Sequence, residues 1–306
     1  MSVSVNVAIF QKCSGLRLSL PSLGNSRKAP IQLATLPEGT NPALMGLKKT
    51  LLVCPELDAI KTFQGEVKAW VMARSMPSYF AAGIYLVGNG EIETVNSYLA
   101  AAVEKLNSEL VPAFVRAYPA AVEAARAALT GGLFNPRDYP TVESLPRRFK
   151  IEYDWLVFGT PETLPDSIRA AEAKKLEQRW QEASGEIIQA LRVGCLELLR
   201  HATDKLTPGE DGKKRVYRDT LITNIQDFLS TFSARNILGD SDLAAVVERV
   251  KNVMANVDSP QDLRDSPKLA ALVSGQFQKI AAELDGMIQT APGRRFSLDD
   301  GEETAA

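Results

Sequence analysis

From about Asp166 to Leu206 the chain runs 41 residues without an interior proline. Ile168, Leu176, Trp180, Ala183, Ile187, Leu191, Cys195, Leu198, Ala202 and Leu206 recur there at steps of three and four. That spacing places them on one stripe of an α-helix. At 1.5 Å per residue an unbroken helix of this length spans roughly 60 Å. So long a helix constrains the fold toward a rod or a coiled-coil-like hairpin. Gly185 and Gly194 are the positions at which it could bend.

Other stretches share this period. After Pro55, Leu57, Ile60, Phe63, Val67, Trp70 and Val71 predict a helix that ends near Pro77 and the glycines beyond it. A second pattern runs from Glu91 toward Leu129 through Val95, Leu99, Val103, Leu106, Leu110 and Phe114. Pro112 and Pro119 should kink or split it, because each lacks an N–H and crowds the preceding turn. Thr207-Pro-Gly-Glu-Asp-Gly212 reads as a turn, and Leu221, Ile225, Phe228 and Phe232 as the helix returning from it. Asp240 or Ser241 can cap the next helix, which carries Leu243, Val246, Val247, Val250, Met254 and Val257. Ser266-Pro267 opens the last, with a stripe of Leu269, Leu272, Val273, Ile280, Leu284 and Met287.

Three segments alternate with the period of a half-buried strand. They are Val3 to Ile9, Leu16 to Leu20, and Phe149 to Phe158 with Ile151, Tyr153, Trp155 and Val157 on one face. The first two, across a turn at Gln11–Gly15, predict a hairpin. Leu156 and Phe158 suggest that the last strand is covered on both sides at its end. Pro21 to Gly46, rich in proline and glycine, predicts an extended loop, and everything else is expected to be helical. The expected fold is therefore mainly α with some β, an elongated long-helix hairpin or bundle with a small N-terminal antiparallel sheet. Residues 1–160 would hold the sheet with helices and 161–290 the long-helix bundle. Residues 291–306, ending Asp299-Asp-Gly-Glu-Glu303, have little to bury and would form a disordered acidic tail.

Charge and cysteine content bound the function. Lys plus Arg is 35 and Asp plus Glu is 37, a net charge of −2, which argues against bulk attraction to nucleic acid or acidic lipid. Cys13, Cys54 and Cys195 are odd in number and far apart, and His201 is the only histidine. A disulfide framework and a structural zinc site are both disfavoured, and the expected compartment is the cytoplasm. No uncharged run reaches the roughly 20 apolar residues that cross a bilayer. The run from Ser75 to Gly90, broken by Pro77 and three glycines, falls short.

Gly46-Leu-Lys-Lys-Thr-Leu-Leu-Val-Cys-Pro55-Glu-Leu57 is a short basic and apolar segment delivered into a helix by proline. Met76, Phe80, Gly83, Tyr85 and Val87 follow it, and the aromatic strand Tyr153 to Phe158 leads into the helical stretch around Trp180. Phe228 to Asp240 then reads Phe-Leu-Ser-Thr-Phe-Ser-Ala-Arg-Asn-Ile-Leu-Gly-Asp. In this order the elements, over about residues 3 to 260, resemble the bacterial and phage family numbered 3150 among the domains of unknown function. Val87-Gly-Asn-Gly90 stands where that family has a proline. The family carries no settled activity and no catalytic residues. Its genes often sit beside those of a MoxR-type AAA+ ATPase and a von Willebrand A-domain protein. The resemblance therefore implies an accessory or adaptor in an ATPase assembly.

The residues themselves show no phosphate-binding glycine loop, dinucleotide loop or nucleophile elbow. On a helix Cys195 lies near the centre of the apolar stripe, with Glu197 about 150° and His201 roughly 110° from it, so the thiol does not converge with them, and Asp240 with Asp242 suits a helix start. No catalytic, cofactor or metal residues are assigned. Two basic clusters are candidates for binding an acidic partner: Arg147 with Arg148, and Lys213, Lys214 and Arg215 with Arg218. The leading expectation is a non-enzymatic scaffold or adaptor that binds protein through its long helices. A self-assembling structural protein of a phage or mobile element is the first alternative, and an enzyme with dispersed acid–base residues the second. Nucleic acid ranks last among partners, no membrane association is expected, and homo-oligomers remain open.

Overall fold

A computed structural model describes residues 12–30, 37–78, 83–157, 165–207, 219–255, 257 and 259–288. The fold is mainly α with a few strands. The chain forms two compact units, each assembled from separated segments. The first comprises Met1–Gly15, Ala73–Ile92 and Leu156–Ala306; the second comprises Leu16–Met72 and Glu93–Trp155.

Strands β1 (Cys13–Ser19), β4 (Met76–Pro77), β5 (Ile84–Gly88) and β6 (Glu152–Leu156) make a four-stranded sheet of order β4-β5-β1-β6. β2 (Ser26–Ala29) and β3 (Leu47–Thr50) form a separate two-stranded antiparallel ribbon. Helices α1 (Pro55–Ala73), α2 (Ile92–Lys105) and α3 (Val111–Ala128) precede β6. α4 (Asp166–Leu206), α5 (Thr220–Arg235), α6 (Ser241–Met254), α7 (Pro260–Asp265) and α8 (Pro267–Ile288) follow it.

Several local expectations change. Of the expected hairpin, Val3–Ile9 lies outside the described residues, and the second arm is β1, which begins at Cys13 inside the expected turn. β1 has β5 and β6 as its neighbours. The expected loop from Pro21 to Gly46 contains β2, and β3, β4 and β5 occupy stretches expected to be helix or connection. Val157, expected to share the covered face of β6, is 91% exposed, because the strand ends at Leu156 and the alternation no longer applies. Phe158, 208–212 of the Thr207 turn and the tail 291–306 lie outside the described residues.

In the second unit, α1 buries Leu57, Ile60, Val67 and Val71 along one stripe. α2 adds Val95, Leu99 and Ala102. Phe114 of α3 meets the Tyr118 and Phe149 rings edge-on at 5.6 and 5.3 Å. Burial of each such ring contributes roughly 1.5–3 kcal/mol. Gln64, buried in the middle of α1, donates its Nε2 amide to the carbonyls of Pro21 at 3.0 Å and Lys150 at 3.1 Å. Two segments far apart in sequence are thereby fixed to one helix. Between α2 and α3 the backbone makes a π-helical turn at Leu106–Leu110, so the helix is not a plain continuous α-helix there. Pro112 follows at once, where its missing N–H falls at a helix start and costs little. Pro119 is carried inside α3.

The core of the first unit is built around α4. Trp180, Ile187, Leu191, Cys195, Leu199 and Ala202 are buried in one cluster with residues of α5, α6 and α8, which Cys13, Met76 and Leu86 join. α8 runs antiparallel to α4: the Arg192 guanidinium donates to the Met287 carbonyl, whereas Ser274 meets Thr207. On α8 the expected stripe holds at Val273, Ile280 and Leu284, but Leu272 is 61% exposed and the fully buried Phe277 takes part instead. The step from Val273 to Phe277 to Ile280 turns Leu272 off the buried face. Gly88, ending β5, approaches the Ile237 side chain so closely that a Cβ there would lie 3.2 Å from its Cγ2.

Candidate functional site

Arg147 and Arg148 end a 3-10 segment, Val142–Arg148, and both are exposed. Leu145 and Phe149 on either side are buried, which holds the two guanidinium groups outward. Lys213, Lys214, Arg215 and Arg218 lie outside the described residues. His201 is exposed on the flank of α4, while Cys195 is buried in its stripe. Burial pushes the Cys195 thiol up to about 12 and that of Cys13 to about 11. Burial raises the Cys54 thiol too, even though the Leu57 amide works against it. None of the three has the lowered value of an activated thiolate.

Among the described residues, no group of three or more His, Cys, Asp or Glu side chains could hold a metal ion. No described helix is long and apolar enough to cross a membrane.

Among the described residues, Asp240 is the buried carboxylate. It caps α6 by accepting from the Leu243 amide at 3.1 Å, the role its place before a helical stripe suggested. It also accepts from Arg192 of α4, from Nε at 2.7 Å and Nη2 at 3.0 Å. Burial alone would raise its pKa, but the Arg192 guanidinium and the Leu243 amide hold it below the ordinary carboxylate value. Asn236 completes the turn between α5 and α6, receiving the Asp240 amide on Oδ1 and giving Nδ2 to its carbonyl. The hydrogen bonds of this knot tie α4 to the α5–α6 turn and the start of α6, so it is a clamp for the bundle.

Two open grooves carry charged linings. One, of about 320 Å³ between α6 and α8, is edged by Arg249, Gln276, Lys279 and Glu283. Arg249 and Glu283 close a two-pronged pair across it, both bonds at 2.7 Å. The other, of about 670 Å³, lies along β6 beside Ala100 and Val103 of α2. There Arg17 Nε donates to Asp154 at 3.0 Å and Lys150 Nζ to Glu152 at 2.8 Å. Arg249 with Glu283 in the first groove, and Arg17 with Asp154 in the second, are engaged with each other, and such exposed pairs contribute little to stability.

The β2–β3 ribbon is a basic surface that the sequence reading did not assign. Its register sets Arg27 opposite Lys49 and Lys28 opposite Lys48. Adjacent residues of a strand point to opposite faces, so one face carries Arg27 with Lys49 and the other Lys28 with Lys48. The first face is answered by Asp138, 2.7 Å from Lys49 Nζ and 3.8 Å from Arg27. Lys49 Nζ also donates to the Leu133 carbonyl. Lys28 and Lys48 are exposed and have no carboxylate partner among the described residues. The available signal was two basic dipeptides, Arg27-Lys28 and Lys48-Lys49; their pairing, across a long connection, is set by tertiary structure.

The long helix offers the other surface. Polar contacts tie α4 to α8 from Arg192 to Thr207. Toward its N-terminus α4 leaves Ile168 49% exposed and Leu176 half-buried. Comparison with known proteins finds no matching family model, no matching curated protein and no matching solved structure.

Proposed function

We propose that the chain is a non-enzymatic scaffold or adaptor that holds a protein partner along its long helix. The observation that carries this reading is the reach of α4. It is a helix of 41 residues whose hydrogen bonds to α8 fall in its C-terminal half, while its first turn presents Ile168 beside charged residues ahead of the buried Ala173, Trp180 and Ala183. Helix-face recognition of this kind lays apolar anchors of one helix against another protein, and Ile168 would be one such anchor. The paired, shallow grooves and the packing role of Asp240 support the same reading. The resemblance to the family numbered 3150 supplies the partner class, a MoxR-type AAA+ ATPase or a von Willebrand A-domain protein, and the three scattered cysteines supply the cytoplasm as the setting. Arg147 and Arg148 would meet acidic groups on that partner.

The test is co-purification of this chain with a MoxR-type ATPase and its von Willebrand A-domain companion, all purified. Wild-type chain should be retained, and Ile168→Glu should weaken retention at least tenfold with its melting temperature unchanged. Equal retention of Ile168→Glu would remove the long helix from the interface. Robust turnover of a small-molecule substrate by the chain alone would overturn the non-enzymatic reading.

A further inference from the structure

The β2–β3 ribbon combines two costs that folding alone does not require. Like charges directly opposite each other on paired strands destabilise the pair, and Lys28 faces Lys48 in this way. Among the described residues the ribbon has two strands, so each also presents an outer edge with no neighbouring strand, on which the Ser26 carbonyl accepts from the Arg27 guanidinium at 3.0 Å. β3 is attended by the 133–139 segment: Lys49 reaches the Leu133 carbonyl, and the Tyr139 hydroxyl donates to the carbonyl of Leu51 just beyond the strand. β2 is the barer strand, with Ser26, Arg27 and Lys28 all exposed.

We propose that the ribbon is a docking site for an extended acidic segment of a protein partner, which adds to the free edge of β2 as a third strand. Main-chain hydrogen bonds to that edge would supply affinity, and the alternating side chains specificity. A residue opposite Lys28 in the added strand lies about 4.5–5.5 Å from it, and its neighbours on that face recur every second position. A carboxylate there answers Lys28 and, through it, relieves the repulsion with Lys48. Arg27 and Lys49, already satisfied by Asp138, hold the opposite face closed. Only two cations are left unanswered, too few for a phosphate backbone, whose binding grows with each neutralised phosphate. An acidic peptide strand needs only those two. This inference is independent of the long-helix interface, since it concerns a different surface.

The probe is a fluorescein-labelled octapeptide of alternating valine and glutamate, titrated with the full chain and followed by fluorescence anisotropy at physiological salt. Saturable binding is expected. A valine–glutamine analogue, and the same valine–glutamate peptide with alternate amides N-methylated, should each bind at least tenfold more weakly. The protein variants Lys28→Glu and Lys48→Glu should lose binding while keeping the wild-type circular dichroism spectrum. Undiminished binding of the N-methylated peptide would overturn strand addition. Undiminished binding of the glutamine analogue would overturn charge recognition, and tighter binding of a single-stranded DNA of equal length would reassign the ribbon to nucleic acid.

Discussion

At Asp240 one carboxylate caps α6 and receives two bonds from Arg192. Removing it leaves a half-buried guanidinium and a bare helix start. Asp240→Ala should therefore destabilise the protein by about 3 kcal/mol, combining a lost cap with a guanidinium left with the Met287 carbonyl and the more distant Asp242. The pH dependence follows from its lowered pKa. The unfolded carboxyl titrates near about 3.9, so the contribution is complete above that value. It is lost as pH falls through the lower value of the folded state. Denaturant titrations of the wild type and Asp240→Asn at pH 7 and at pH 3 check this: the gap between them should narrow in acid. Half of this arrangement was legible, because an aspartate just before a helical stripe is a capping signal. Arg192 was not, since its distance of 48 residues in sequence is bridged only by packing. The lysine pair was hidden for the same reason. Lys28→Glu, besides its effect on binding, should stabilise the ribbon by about 0.2–1 kcal/mol by turning a like-charge pair into an opposite one.

The helices were read with little error because a 3.6-residue period repeated over many turns is a redundant signal. α4 ends where its stripe ends, and Ser266-Pro267 opens α8 as its capping chemistry requires. The strands were less legible. β4 has two residues and β5 five, too few for alternation to stand out, and β2 and β3 are dominated by cations that resemble loop composition. α7, a six-residue helix with a Ser259–Asp262 capping box, is likewise too short for a stripe. One turn between elements gives a sharp test. Gly239, between α5 and α6, has φ near +72° and its amide bonds the Asn236 carbonyl. Gly239→Ala forces a side chain into the left-handed region and should cost about 1–2 kcal/mol, read by thermal or denaturant unfolding. Because Asn236 and Asp240 hang on this turn, the loss should be smaller in an Asp240→Ala background.

Across the whole molecule, each unit draws on segments distant in the chain. Cys13, Met76 and Leu86 share the core of α4 to α8, and Gln64 fastens Pro21 to Lys150. Periodicity reports what a segment is and which face it buries; it does not report which distant segment will cover that face. The basic ribbon and the Arg192–Asp240 clamp emerge only at this level. The proposed interface also belongs to this scale: we propose that the long helix receives a different protein rather than a second copy of this chain. Light scattering coupled to size exclusion, from low to high protein concentration, tests it most directly. A constant mass near 33.3 kDa throughout is expected. A discrete oligomer, or a mass that climbs with concentration, would contradict it and assign the exposed faces to self-assembly.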